Sequence, residues 1–218
     1  MISRRSFVTG SAGLIVPSAL GHSAVTAKRR KRRKKKKTVT RTFSNTQTID
    51  IQSSETRSSQ IAVSGLKKGK LLDVNVVLNG FTHPQPDEVD LMVVAPDSKN
   101  ALILSDSGGG GNVSGITLTL DDEAVDQLPN SGQLMGQSYR PANFGGGGDM
   151  FPDPVGTPAP SPSGNVALST FDSINPNGTW TLFVTDDNPG GNGVIASGWA
   201  LVITAQVQTK KRRRRKKR

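Results

Sequence analysis

Apolar residues recur at every second position along most of the middle of this chain. Ile116, Leu118 and Leu120 alternate with Thr117 and Thr119. Trp180, Leu182 and Val184 keep the same spacing, as do Trp199, Leu201 and Ile203. Leu72, Val74, Val76 and Leu78 repeat it, and so do Val89, Leu91 and Val93. Side chains of a strand point alternately to its two faces, so this period builds half-buried strands and cannot line one face of a helix. Residues 42–51, 60–63 and 101–104 are weaker strand candidates. Nearly every gap holds Gly, Pro, Asn or Asp, which end strands and make turns. Only residues 122–128 have the makings of a short helical turn. The expectation is an all-β chain of about eight strands, an antiparallel β-sandwich of jelly-roll type.

Charge divides the chain differently. Lys28 to Lys37 are ten basic residues in a row, and Lys210 to Arg218 are nine. They hold 19 of the 28 Lys and Arg, and Arg4 and Arg5 are two more. The seven that remain between Thr38 and Thr209 face all 17 acidic residues, a net charge of −10. The overall +11 therefore belongs to the ends. Unbroken like charge repels itself and stays solvated, so both runs are expected to be disordered tails. An acidic body with cationic tails suits a folded module held at an anionic surface.

The first 27 residues read as an export leader. Ser3-Arg4-Arg5-Ser6-Phe7-Val8 resembles the twin-arginine motif, a weakly apolar stretch follows to Leu20, and Val25-Thr26-Ala27 offers a small-x-small cleavage site. Gly13 and Pro17 break the apolar stretch, which is short for a membrane span. The expected organisation is a signal peptide at 1–27, a polybasic linker at 28–37, a folded domain at 38–209 and a basic tail at 210–218. The expected location is extracellular or at the cell envelope. Cysteine is absent, which removes disulfides, thiolate chemistry and Cys-based metal sites.

One connection differs from the others. Residues 143–165 contain four consecutive glycines, Gly145 to Gly148, and five prolines. Such a segment cannot be a sheet strand and exceeds ordinary loop length. It reads as a mobile surface insertion, with a binding loop as the other reading. Gly108 to Gly111 lacks the lysine and helix of a phosphate loop, which excludes nucleotide binding there.

Acidic residues gather at two turns. Asp186-Asp187-Asn188 opens a tight Gly-rich turn, and Asp87, Glu88 and Asp90 form a second group. Hard oxygen donors where the backbone turns sharply have two uses. They cap turns through Asx hydrogen bonds, or they hold calcium with help from backbone carbonyls. The candidate calcium ligands are Asp87, Asp90, Asp186 and Asp187.

Residues 177–186, Asn-Gly-Thr-Trp-Thr-Leu-Phe-Val-Thr-Asp, and 193–201, Gly-Val-Ile-Ala-Ser-Gly-Trp-Ala-Leu, resemble the closing strands of the P domain, or Homo B domain. That β-sandwich follows the catalytic domain of proprotein convertases and related subtilisin-like proteases. Gly80-Phe81-Thr82-His83, and Asp90-Leu91-Met92-Val93-Val94-Ala95-Pro96, are similar to the same family, with Pro84 where the family commonly has Thr. Leu104 to Gly109, Tyr139-Arg140-Pro141 and Leu168 to Asp172 resemble bacterial relatives. The resemblance runs from about residue 71 to 203. It implies a β-sandwich and an accessory role beside a serine protease.

Catalysis is not expected of the chain itself. A subtilisin-type site needs Asp, His and Ser in one constellation. Beyond the leader there is one histidine, His83, with no Gly-Thr-Ser-Met-Ala-like segment. One His and no Cys also cannot supply a catalytic zinc. The adjacent carboxylates Asp121 and Asp122 leave a glycosidase pair formally open, but adjacent residues at a strand-loop junction usually point apart and nothing marks a sugar cleft. The reading that remains is a secreted, non-catalytic binding or accessory module. Its tails would engage anionic cell-envelope polymers or lipid head groups. The alternatives are a partner of a separate serine protease, or another secreted protein, and a sequence-blind nucleic-acid binder.

Overall fold

The computed structural model describes residues 35–146, 148–152, 158–188 and 191–209. The leader, the basic residues before Lys35 and the tail after Thr209 lie outside the described residues.

The chain is all-β, in two sheets. The first sheet contains β1 (Lys35–Asn45), β2 (Ile49–Ile51), β4 (Lys70–His83), β7 (Val113–Leu120), β8 (Ser138–Tyr139), β11 (Gly193–Ile195) and β12 (Trp199–Thr209). The second contains β3 (Thr56–Val63), β5 (Val89–Val94), β6 (Asn100–Ser105), β9 (Ala142–Asn143) and β10 (Gly178–Asp186). Eight of the described strands are six residues or longer; the other four are pieces of two or three. The expected strand at 42–51 is divided by a turn into parts of β1 and β2. Among the described residues the helical turns lie at Pro86–Glu88 and Leu168–Phe171, both 3-10, and residues 122–128 hold turns, bends and an isolated bridge from Gln127 to Arg140.

β4 organises the first sheet. β12 and then β11 run antiparallel along one edge, with Trp199 opposite Leu78 and Ile195 opposite Phe81; β7 takes the other edge, with Leu118 opposite Leu78. In the second sheet the order is β3-β10-β5-β6-β9. The core lies between the sheets. Val74, Val76, Leu78, Phe81, Leu201 and Ile203 enter from one side, and Leu91, Val93, Trp180, Leu182 and Val184 from the other. Both tryptophans are fully buried, and each finds a partner for its indole N–H: Trp180 donates to Pro176 O at 2.9 Å, Trp199 to Ser59 Oγ at 3.0 Å.

β5, β6 and most of β10 in the second sheet are buried on both faces, which the alternation in the sequence does not show. Met92, Leu102 and Phe183 point away from the core and are covered by Phe151 and Ala159 of the Gly/Pro-rich connection. Hydrogen bonds fix this cover. Asn100 Nδ2 donates to Ser161 O, Ser163 N donates to Asn100 Oδ1, and Leu102 N donates to Asn165 O. The segment expected to be a mobile insertion is thus, where described, a flap on the second sheet. The apolar residues left on that outer face explain why it docks.

The domain also starts earlier than the charge pattern implied. Lys35, Lys36 and Lys37 belong to β1, opposite Thr209, Gln208 and Val207 of β12. β1 is an edge strand, where lysines discourage pairing with other chains.

Candidate metal centre

The period of two sorts the four sequence-predicted ligands onto different faces. On β10, Trp180, Leu182 and Val184 point inward and Asp186 continues that series, fully buried. Its carboxylate accepts from Asn188 N at 3.0 Å and Ser53 Oγ at 3.3 Å, and lies 3.4 Å from His83 Nε2. Asp186 is thus committed to an inter-sheet contact. Asp90 on β5 is out of phase with Val89, Leu91 and Val93 and lies on the outer face, as does Asp187 after Thr185. Asp87 belongs to the 3-10 turn before β5. The structure therefore does not gather Asp87, Asp90, Asp186 and Asp187 into one shell.

It gathers Asp90 with two other residues. Asp90, Asp106 and Asp149 each direct a carboxylate oxygen to within 4.8 Å of the others. Asp90 comes from β5, Asp106 from the turn after β6, and Asp149 from the flap. β9 brings the flap into place by pairing parallel to β6, with Asn143 opposite Ser105. Asn143 Nδ2 then donates to Asp149 Oδ2 at 3.0 Å. Asp106 has a left-handed backbone, φ 49°, a conformation that Asp tolerates better than most residues and that is often found at working sites. The backbone of Gly145 lies directly against its carboxylate, so any Cβ there would collide with Asp106 Oδ2.

Hydrogen bonding leaves these oxygens undersupplied. Ser105 Oγ is 2.9 Å from Asp106 Oδ2 and 3.0 Å from Asp149 Oδ1. A hydroxyl has one proton and can donate to only one of them at a time. Asp90 is 2% exposed, and its Oδ2 has no hydrogen-bond partner. Ion pairs among the described residues are Arg57–Glu55 and His83–Asp186, so none of the described residues brings a cationic side chain to the cluster. Burial, with the charges of Asp149, Asp187 and Asp106 adding to it, pushes the Asp90 carboxyl up to about 8; the Ser105 hydroxyl acts the other way. Burial and the neighbouring Asp106 and Asp186 likewise raise Asp187.

The cluster opens into a cleft of about 490 Å³, lined by Ser54, Asp106, Gly145, Asp149, Thr185 and Asp187 among others. Its donors are hard oxygens on irregular backbone, without His or Cys. That set suits calcium, which accepts six to eight oxygens in flexible geometry, better than magnesium, which demands a near-octahedral shell. Asp90, Asp106 and Asp149 would supply charge, Ser105 a hydroxyl, and Asp187 a carboxylate at the rim.

Asp106 and Asp149 were missed by sequence reasoning because the centre draws on three separated parts of the chain. A signal was present: Asp106 follows a strand in Leu-Ser-Asp-Ser-Gly-Gly, and Asp149 ends the glycine run.

No protein-family model matches the chain, and no curated protein matches it. Among solved structures it is similar to a serine protease of Aeromonas sobria, with a TM-score of 0.38 and 11% identity over 78% of this chain and 27% of that one. The complex of the Aeromonas sobria serine protease with its chaperone ORF2 gives a TM-score of 0.38 and 11% identity, over 81% of this chain and 28% of that one. The chain thus spans little more than a quarter of the length of these similar chains.

Proposed function

We propose that this chain is a non-catalytic β-sandwich binding module that holds a calcium ion between Asp90, Asp106 and Asp149. In this reading it is exported by the twin-arginine route and acts at the cell envelope, where its basic ends engage anionic polymer. The observation that carries the metal reading is the convergence of three uncompensated carboxylates around the buried, unpartnered Asp90 oxygen. Carboxylates held this close repel, and a divalent cation relieves both the repulsion and the lost hydration.

The state of His83 supports a non-catalytic role. The ring is fully buried, its Nδ1 lies 2.8 Å from Gln85 O, and its Nε2 faces Asp186. A general base needs reach to a substrate proton, which this setting does not offer. The resemblance of residues 71–203 to P domains makes service to a separate serine protease one form of the same accessory function.

Calcium titration of the chelator-treated protein, followed by melting temperature, tests the metal reading. A rise that saturates is expected, and Asp90→Asn, Asp106→Asn and Asp149→Asn should each abolish it while Asp87→Asn keeps it. A flat titration of the unaltered protein would leave the three carboxylates as loop hydrogen-bond acceptors and end this reading.

A further inference from the structure

Every charged side chain among the described lining of the acidic cleft is a carboxylate: Asp106, Asp149, Asp186 and Asp187. Asp90, buried beside Asp106 and Asp149, adds another. Asp87 and Glu88 contribute negative charge from the turn before β5, and Asp187 N donates to Glu88 O at 3.1 Å. His83 faces Asp186 between the sheets and is not part of the lining. Arg57 is held by Glu55 and Gln52 and lines a different cleft, between β2 and β3. The oxygens of Asp106 and Asp149 that meet Ser105 share the single proton of its hydroxyl. The cleft is thus rich in acceptors and poor in donors.

We infer that this cleft takes a neutral ligand with neighbouring hydroxyl groups, the vicinal diol of a saccharide, seated beside the calcium ion of the proposed function; the inference rests on that reading. Asp90, Asp106, Asp149, Ser105 and Asp187 offer five side chains, and calcium accepts six to eight oxygens, which leaves about one to three places on the cleft side. Charge decides what fills them. One divalent cation among three carboxylates leaves about −1, and Asp187 makes the balance more negative. A carboxylate or phosphate ligand would add to that repulsion. An ammonium group suits the charge but has no lone pair to give a metal. A hydroxyl has both parts: lone pairs for the cation, and a proton for the Asp106 or Asp149 oxygen that Ser105 leaves without one. Water offers the same, yet two hydroxyls fixed on one ring replace two waters at the ordering cost of a single molecule. The walls fit a ring as well. Gly145 and Gly148 present backbone alone, while Met150, 76% exposed, and Pro152 supply apolar surface for its C–H face. The volume of about 490 Å³ is that of a small-molecule site.

Affinity electrophoresis of the full chain tests this, in gels that hold galactomannan, whose sugars carry cis hydroxyls, or dextran, whose hydroxyls are trans. Retardation by at least one polymer is expected, with a dissociation constant lower by about tenfold or more in calcium than in chelator. The same polymer should not retard the protein once periodate has cleaved its diols and borohydride has reduced the products. Met150→Ser should weaken the retardation and leave the calcium-dependent rise in melting temperature unchanged; Asp149→Asn should lose both. Equal retardation in calcium and in chelator, or undiminished retardation by the oxidised polymer, would overturn the diol. So would a calcium titration that saturates while neither polymer binds. Stronger competition by free galacturonate or lysine than by free galactose would make the ligand a charged one and overturn the choice. A flat calcium titration would remove the metal reading itself, which absent retardation alone does not do.

Discussion

His83 and Asp186 join the two sheets at the acidic end of the sandwich, with Nε2 and Oδ2 3.4 Å apart and both side chains fully buried. His83 ends β4 in one sheet, and Asp186 ends β10 in the other. The contact is boxed in by glycine. A Cβ on Gly193 would run into the His83 ring and Thr82 O, and one on Gly191 would meet Pro84. This gives the Gly193 of the sequence motif a packing reason, and gives Pro84 a place.

The first prediction concerns that contact. Asp186→Ala strands a buried histidine and empties the acceptor of Ser53 and Asn188, so it should cost about 3–5 kcal/mol, the range for removing one partner of a buried pair. Calcium should still stabilise the variant. Denaturant unfolding with and without calcium checks both parts, and a small loss of stability coupled to a lost calcium response would return Asp186 to the metal shell.

Gly145 offers a second test, away from the charged groups themselves. Gly145→Ala must displace the Asp106 carboxylate, because the new methyl occupies its position. Calcium affinity should fall at least tenfold, about 1.4 kcal/mol, while the metal-free protein melts near its normal temperature. Gly146 faces open space and, because its φ is 75°, is the wrong control; Gly110, which also faces open space, is the right one. Isothermal titration of the two variants separates the cases.

pH should act on the metal-free protein through Asp90. Its carboxyl ordinarily titrates near 3.8 and is raised to about 8 in the fold. Between those values the folded state holds a proton that the unfolded state has released. Stability of the metal-free protein therefore falls as pH rises through that window and levels off above about 8. Calcium must displace the same proton, so its affinity should climb with pH over the same range. Melting in chelator at several pH values reads the first effect. Asp90→Asn should flatten the part of the slope that belongs to this group, and an unchanged slope would place the titration elsewhere.

The core makes a fourth prediction. Trp180→Ala and Trp199→Ala should each cost about 3–5 kcal/mol. Trp180 also loses an edge-to-face contact with Phe171, whose ring centre is 5.1 Å away. Chemical unfolding measures the loss; a change under about 1 kcal/mol in either variant would contradict its burial.

The export reading is tested at Arg4 and Arg5. Replacing Arg4 and Arg5 by lysine keeps the charge but changes the receptor-read motif, and translocation should stop. Normal appearance of the Lys-Lys protein outside the cell would point to another route.

The sandwich was legible because alternation is a local signal: Val74 to Leu78 and Trp180 to Val184 each announce a face by themselves, whereas Leu72, in phase by sequence, is exposed and Leu71 is buried instead, across a break in register with β12. The double burial of β5 and β6 was not, since Met92 and Leu102 are covered by residues far along the chain. The centre divides in the same way. Asp90 stands out in the sequence as one of a tight acidic group. Its partners Asp106 and Asp149 do not, because only the parallel pairing of β9 with β6 brings them together. That Asp186 faces the core, against His83, is not revealed by a run of carboxylates in the sequence.

The flap carries both a carboxylate of the acidic cluster and the cover of an apolar face. Asp149 adjoins Met150 and Phe151; Met150 is exposed while Phe151 seals the second sheet. A cation that grips Asp149 also fastens that seal. In chelator, cleavage by an external protease should begin around Phe144 and Met150, and calcium should slow it. Outside the cell, the calcium concentration would then set the working lifetime of the protein as well as its occupancy.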